Sequence, residues 1–281
     1  MNEVQDTAQR GALNRWGYGL TAPDVALGAF AKEAVRALGM GRDETVDFLA
    51  LSFSQTDAIG HDYGPFGREQ LQNLLQLDQT LGDLMAFLDE ELGEGHWLMA
   101  LSGDHGVLTI PEHREDVGEP AGTRATREDL TRLWNTFRDY QATGGDPQEL
   151  ADSIVSALEN LPFVADAMTV LELTTPPPVD SFAVLMRNSY HPDRWIGEYG
   201  SQGTGVVFRF VEGYYDDPAP RGTGHGTPYF YDRHVPLVFF GAGVNPGESA
   251  DPARTVDVAP TLAQLAGIAT PDDLDGQPLF R

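Results

Sequence analysis

The chain contains no cysteine among its 281 residues. This absence excludes disulfide bridges, thiolate metal sites and a cysteine nucleophile, so any metal ion must be held by His, Asp or Glu. The sequence also lacks a run near the roughly 18 consecutive apolar residues of a membrane span. Its first twenty residues lack the basic start and apolar stretch of a signal peptide. The sequence therefore predicts neither a membrane span nor a signal peptide.

Positive charge is also scarce. The chain has 18 Lys and Arg residues against 43 Asp and Glu, a formal net charge of -25, and Lys32 is its only lysine. Binding to a nucleic-acid backbone needs clustered Lys and Arg, so this composition argues against it. A negative field also slows the approach of an anionic substrate unless local cations reverse it, as bound divalent metal ions would.

The two ends of the chain have the pattern of an α/β core. Apolar residues at helical spacing predict helices over Thr21–Leu38 and Arg68–Leu92. Nearly continuous apolar runs predict buried strands at Val46–Phe53, Trp97–Leu101 and Val235–Phe240. Strand, long helix, strand is the order of a parallel crossover unit, so we predict a largely parallel sheet.

The long helix Arg68–Leu92 is predicted to bury a leucine stripe that includes Leu71, Leu74 and Leu75. Asp78 lies on this stripe, where an unpaired carboxylate is costly. We therefore expect Asp78 to accept a hydrogen bond, either within the protein framework or from a metal-bound histidine.

The middle of the chain has a different pattern. Helices are predicted at Arg127–Tyr140 and Pro147–Asn160, and strands at Phe182–Met186 and Gly205–Val211. We interpret residues 111–220 as an inserted α+β subdomain. The α/β core then comprises residues 1–110 and 221–281.

Five residues of metal-binding types lie in three glycine-flanked segments: Asp57 with His61, Asp104 with His105, and His225. Imidazole and carboxylate are the ligands of hydrolytic zinc sites, and two such ions can hold the attacking and leaving oxygens of a phosphoryl group. Asp57 and His61 are four residues apart, so one helical turn or a tight loop would aim both at one ion. Asp104 and His105 are adjacent, so their side chains should diverge, towards different ions or different sides of one ion.

Five segments, taken together, resemble the C-terminal part of a known family. In chain order they are TDAIGHDYGP, LDQTLGDLMAFLDE, LSGDHG, GTGHGTPYFYDRHVPLVFFG and TVDVAPTLAQLAGI. Their order, wording and spacing are similar to the alkaline phosphatase superfamily, in the branch of PafA-type phosphatases and nucleotide pyrophosphatase/phosphodiesterases. This resemblance implies an alkaline-phosphatase-like, three-layer α/β/α fold.

The resemblance also implies a site with two divalent metal ions. Asp57, His61 and His225 would hold one zinc and leave a position open, while Asp104 and His105 would bind the second ion. Mixed His and Asp ligation favours zinc over magnesium. The family's Thr or Ser nucleophile and one further Asp ligand come well upstream of the first Asp/His pair, whereas only 56 residues precede Asp57. No catalytic residue is therefore assigned, and we expect the chain to be a C-terminal portion, from a truncated or split gene.

The implied activity is hydrolysis of small-molecule phosphoric esters, as a phosphomonoesterase or a phosphodiesterase. The alternative is a non-catalytic metal-binding fragment, or an interaction module derived from such an enzyme. An N-terminal half or a second copy of the chain would be the expected partner. Members of the family are often periplasmic or secreted, but the sequence assigns no location.

Overall fold

The computed structural model describes residues 19–141, 145–174, 180–189 and 205–280. These residues form two compact units. The first unit comprises the described residues up to Gly106 and those from Val235 onward, and the second spans Val107–His234. The assignment of residues 111–220 to an inserted subdomain stays a prediction.

The elements are named in chain order. The helices are α1 (Ala22–Leu38), α2 (Gln55–Tyr63), α3 (Arg68–Leu92), α4 (Arg127–Gln141), α5 (Pro147–Leu158), α6 (Val170–Thr174), α7 (Ser181–Asn188), α8 (Phe230–Arg233) and α9 (Val258–Leu265). The strands are β1 (Leu98–Ser102), β2 (Thr123–Arg124), β3 (Val164–Thr169), β4 (Val206–Phe210), β5 (Tyr214–Tyr215) and β6 (Leu237–Gly241). Within the described ranges, no helix combines the length and the apolar character needed to cross a membrane.

Helices α1 and α3 form the apolar core of the first unit. A proline in its first turn starts α1, and Gly39 ends it in the left-handed conformation with φ of 65°. Both helices were predicted, because capping residues and apolar spacing are local signals. Ala31 and Val35 of α1 pack against Leu84 and Phe87 of α3.

The predicted buried face of α3 is wrong over the first half of the helix. Leu71, Leu74 and Leu75 are 59%, 46% and 63% exposed, and Asp78 is exposed as well. The side chains buried in this half are instead Gln70, Asn73 and Thr80. The sequence pattern located the leucine stripe but could not show that Thr56 of α2 would accept hydrogen bonds from Gln70 and Asn73 on the opposite side.

The strand predicted at Val46–Phe53 is wrong for the described structure. This segment has no strand hydrogen bonding among the described residues. Val46, Phe48 and Leu49 are 56%, 79% and 40% exposed. A strand needs a hydrogen-bonded neighbour as well as apolar residues, and the apolar run specifies only the second requirement.

The two other predicted core strands form and pair with each other. β1 and β6 lie antiparallel, with Leu98 opposite Gly241 and Ser102 opposite Leu237. The predicted parallel crossover from Val46–Phe53 into β1 is therefore not formed as a paired unit in the described residues. Large α/β sheets commonly include antiparallel strands, so this pair is compatible with the fold class.

The second unit has its own apolar core. Helices α4 and α5 pack on the antiparallel pair β3 and β4, in which Thr169 lies opposite Val206. Ile154, Leu158 and Val206 are fully buried at the centre of this core. The predictions of two helices and of a strand at Gly205–Val211 are confirmed by α4, α5 and β4.

The strand predicted at Phe182–Met186 is wrong, because this segment belongs to helix α7. Asp180 caps the helix, and its carboxylate accepts hydrogen bonds from the backbone N–H groups of Phe182 and Ala183 at 2.8 and 3.1 Å. An N-terminal cap satisfies backbone donors that a helix would otherwise leave unpaired. In a short apolar segment this cap, rather than strand propensity, decides the conformation.

A glycine pair tests the packing of α1 on α3. A Cβ atom on Gly28 would lie 2.5 Å from Cγ2 of Thr80, whereas a Cβ atom on Gly82 would have nothing within 4 Å. Gly28→Ala should lower the free energy of unfolding by about 1–3 kcal/mol, because threonine is stiff at χ1. Gly82→Ala should raise it by about 0.5–1 kcal/mol, because alanine favours helix. Urea unfolding checks both variants, and changes of the same sign would contradict this packing.

Candidate metal centre

Helix α2 carries Asp57 and His61 on one face. They are one helical turn apart, and the Nε2 atom of His61 lies 3.3 Å from Oδ1 of Asp57. In a tetrahedral zinc site with bonds of about 2.0–2.1 Å, neighbouring ligand atoms lie about 3.3 Å apart. The spacing of this pair therefore suits two ligands of one ion.

The loop after β1 brings a second pair to the same place in the first unit. Nε2 of His105 lies 4.0 Å from Oδ1 of Asp57 and 3.7 Å from Oδ2 of Asp104. Asp104 and His105 were expected to diverge because they are adjacent in the chain, and this expectation is wrong. Oδ1 of Asp104 accepts the backbone N–H of His105 at 3.1 Å, which turns the carboxylate towards the neighbouring imidazole.

The orientation of His105 is set by its other ring nitrogen. Nδ1 lies 2.9 Å from the carbonyl oxygen of Gly106. Because a carbonyl oxygen only accepts, Nδ1 is the donor in this hydrogen bond, and Nε2 of the neutral ring would have its lone pair on the side of Asp57 and Asp104. Histidine ligands of metals commonly have their outer N–H held in this way.

The first unit thus gathers four of the five candidate residues. They lie near one another as imidazole–carboxylate pairs, and both donor types are common ligands of zinc. The side chains of His61 and His105 are 33% and 27% exposed, and those of Asp57 and Asp104 are 42% and 91% exposed. An ion at this position would therefore be accessible from solvent.

The fifth candidate, His225, belongs to the second unit. It lies in the loop between β5 and α8. The hydroxyl of Thr223 donates to the carbonyl of Leu108 at 2.7 Å, and the N–H of Leu108 donates to the carbonyl of Gly224 at 3.0 Å. A Cβ atom on Gly224 would lie 2.8 Å from the ring of Tyr215, so this position requires glycine.

Arg124 holds the start of the same loop. Its guanidinium donates to the carbonyl oxygens of Arg221 and Gly222 at 3.1 and 2.8 Å. It also pairs with Glu112 through two hydrogen bonds of 2.7 and 2.9 Å, and lies over the ring of Tyr215. The fixed fork of an arginine can hold several acceptors at once. Sequence reasoning missed this residue, because its partners are distant in the chain.

Asp232 holds the end of the loop. Its Oδ2 atom accepts hydrogen bonds from the backbone N–H and the hydroxyl of Thr227, both at 2.7 Å. Its Oδ1 atom is buried without a hydrogen-bond partner among the described residues. Burial raises the pKa of the Asp232 carboxyl, while the Thr227 hydrogen bonds and the charge of the nearby His225 imidazole oppose that rise. No signal in the sequence distinguishes Asp232 from a surface aspartate.

Comparison with known proteins identifies the fold. A crystal structure of a variant of alkaline phosphatase PafA superposes with a TM-score of 0.77 and 25% identity, over 94% of this chain and 52% of that chain. The described fold is therefore alkaline-phosphatase-like α/β, as predicted.

Two curated bacterial proteins match over most of the chain. A "Calcium-transporting ATPase" of Myroides odoratus is 29% identical, over 89% of this chain and 49% of that protein. "Alkaline phosphatase PafA" of Elizabethkingia meningoseptica is also 29% identical, over 89% of this chain and 48% of that protein. The chain spans about half the length of these relatives. Residues 3–202 match the sequence profile of the type I phosphodiesterase / nucleotide pyrophosphatase family, and the chain belongs to this family.

Replacement of Asp232 tests its hold on the His225 loop. Asp232→Ala removes the single oxygen that accepts both hydrogen bonds from Thr227, so the Thr227 amide should exchange with solvent about ten- to a hundredfold faster. Hydrogen exchange followed by NMR measures this rate. Asp232→Asn is the matched control, since it keeps one acceptor oxygen and should have a smaller effect. Unchanged exchange in Asp232→Ala would contradict the assignment.

Proposed function

We propose that this chain carries metal-binding machinery of a phosphoric ester hydrolase that uses two zinc ions. The observation that carries the proposal is the cluster of Asp57, His61, Asp104 and His105 in the first unit, with its three N···O separations of 3.3–4.0 Å. Membership of the type I phosphodiesterase / nucleotide pyrophosphatase family supports a hydrolase of phosphoric esters.

The division of ligands between the two ions follows the family resemblance. We assign Asp57, His61 and His225 to one zinc, and Asp104 and His105 to the other. His225 is included because its GTGHGTP segment matches the family wording, and because Arg124 and Asp232 hold the backbone on either side of it. We assign no nucleophile in this chain.

The chemistry divides between the ions and the protein. When bound, divalent ions polarise a phosphoryl group and offset the charge that develops on the leaving oxygen. The protein holds the donors in place: α2 presents Asp57 and His61 together, and the Gly106 carbonyl fixes the tautomer of His105. With a formal net charge of -25, the chain repels a phosphate ester, and bound cations would reverse this field locally.

A non-catalytic metal-binding module is the second candidate. It is supported by the same cluster of Asp57, His61, Asp104 and His105, which could bind zinc without any catalytic step. Such a module would take up zinc and leave phosphate esters intact.

Zinc titration separates these functions. By calorimetry, the wild-type chain should bind zinc, and His61→Ala and His105→Ala should each weaken binding by about tenfold or more, because each removes a donor. His96→Ala is the matched control, since His96 is an exposed histidine of the same unit and should bind zinc like wild type.

Hydrolysis of an aryl phosphate and of a phosphodiester is measured with the same proteins. Zinc-dependent turnover that is lost in His225→Ala would establish the hydrolase, and zinc uptake without turnover would establish the binding module. No zinc uptake by the wild-type chain would overturn both.

A further inference from the structure

The first half of α3 buries amides and exposes leucines. Gln70 and Asn73 are 6% and 1% exposed, while Leu71 and Leu75 are 59% and 63% exposed. Burying a polar group is unfavourable unless it is hydrogen bonded. The Oε1 atom of Gln70 has no hydrogen-bond partner within the described part of the chain, so its burial is only partly compensated. Apolar residues would fill these positions with less desolvation.

Both buried amides donate to the same residue of α2. Nδ2 of Asn73 lies 2.9 Å from the Thr56 hydroxyl, and Nε2 of Gln70 lies 3.0 Å from the Thr56 carbonyl oxygen. Thr56 directly precedes Asp57. Two donors from one face of α3 thus hold the backbone and the side chain of the residue next to a candidate metal ligand.

A third buried side chain holds the start of α2 from α1. Asp24 is 5% exposed, and its carboxylate accepts the backbone N–H groups of Ser54 and Gln55, the latter at 3.2 Å. Ser54 is the N-terminal cap of α2, but its own side chain makes no capping hydrogen bond. Asp24 therefore supplies from another helix the acceptor that a cap residue normally provides.

These contacts restrain the helix that carries Asp57 and His61. α2 has only nine residues, too few to be stable alone. Contacts at residues 54–56, from α1 and α3, restrict rotation of α2 about its axis and sliding along it. Asp57 follows in the same turn, and His61 lies one turn later, so their directions depend on that restraint.

We propose that Asp24, Gln70 and Asn73 are positioning residues that lock α2 in the orientation that presents Asp57 and His61 to one ion. This inference rests on the proposed metal site and adds the residues that preorganise it. None of the three would touch the metal. Their effect is on zinc affinity, through the direction of the ligands.

The Asn73–Thr56 hydrogen bond gives the sharpest test. Asn73→Leu removes the donor and Thr56→Val removes the acceptor, and each should weaken zinc affinity by about tenfold, as for partners that orient metal ligands. The double variant should lose no more than either single one, since all three lack the same bond. Zinc affinity is measured by competition with a chromophoric chelator.

Two controls separate positioning from general stability. Thr80→Val removes a buried hydroxyl of α3 that, among the described residues, bonds within its own helix to the Gln76 carbonyl at 2.9 Å, and it should leave zinc affinity unchanged. Thr56→Ser keeps the hydroxyl and should bind zinc like wild type. If Asn73→Leu fails to fold, the Thr56→Val and Thr56→Ser pair decides the question.

The outcomes distinguish the inference from the proposed function. Wild-type zinc affinity in Thr56→Val, or an equal loss in Thr80→Val, would overturn the positioning role while leaving the metal site intact. No zinc uptake by the wild-type chain would overturn the proposed function and the positioning role together. We expect Thr56→Val to bind zinc more weakly than the wild-type chain. The thermal midpoint of metal-free Thr56→Val should be no lower than that of metal-free Thr80→Val.

Discussion

The candidate centre depends on the pair of hydrogen bonds that α3 donates to Thr56. They hold α2, a helix of nine residues that would not be stable in isolation and that carries two metal-ligand candidates. This constraint also explains why α3 turns its amides inward. The second half of α3 packs on α1 through Leu84 and Phe87, while the buried amides of its first half restrain α2. One helix therefore both builds the core and positions the site.

In the second unit, too, hydrogen bonds from distant residues fix the backbone next to a candidate ligand. The loop that carries His225 is held by residues that are distant in sequence: Arg124 bonds Gly222 across 98 positions, and Thr223 bonds Leu108 across 115. Loops carry functional residues when a rigid scaffold fixes their backbone. In each unit, therefore, buried or partly buried hydrogen bonds hold the backbone that carries candidate metal ligands.

Local signals predicted much of this arrangement. The bounds of α1 and α3, the turn spacing of Asp57 and His61, and the family resemblance were all available from the sequence. The errors arose where distant partners decide. Val46–Phe53 lacks a paired neighbour in the described structure, and the buried side of α3 is set by α1 and α2. The error at Phe182–Met186 is of another kind, because the deciding cap, Asp180, is local. The roles of Asn73 and Arg124 were hidden because their partners Thr56 and Gly222 are distant in the sequence.

The most direct test of the candidate metal centre is anomalous diffraction at the zinc edge from crystals of the chain grown with zinc. We expect a zinc peak about 2.0–2.2 Å from an imidazole nitrogen of His61 and a carboxylate oxygen of Asp57. We also expect a peak beside His105 and Asp104. Zinc bound only elsewhere, with these side chains uncoordinated, would contradict the central claim.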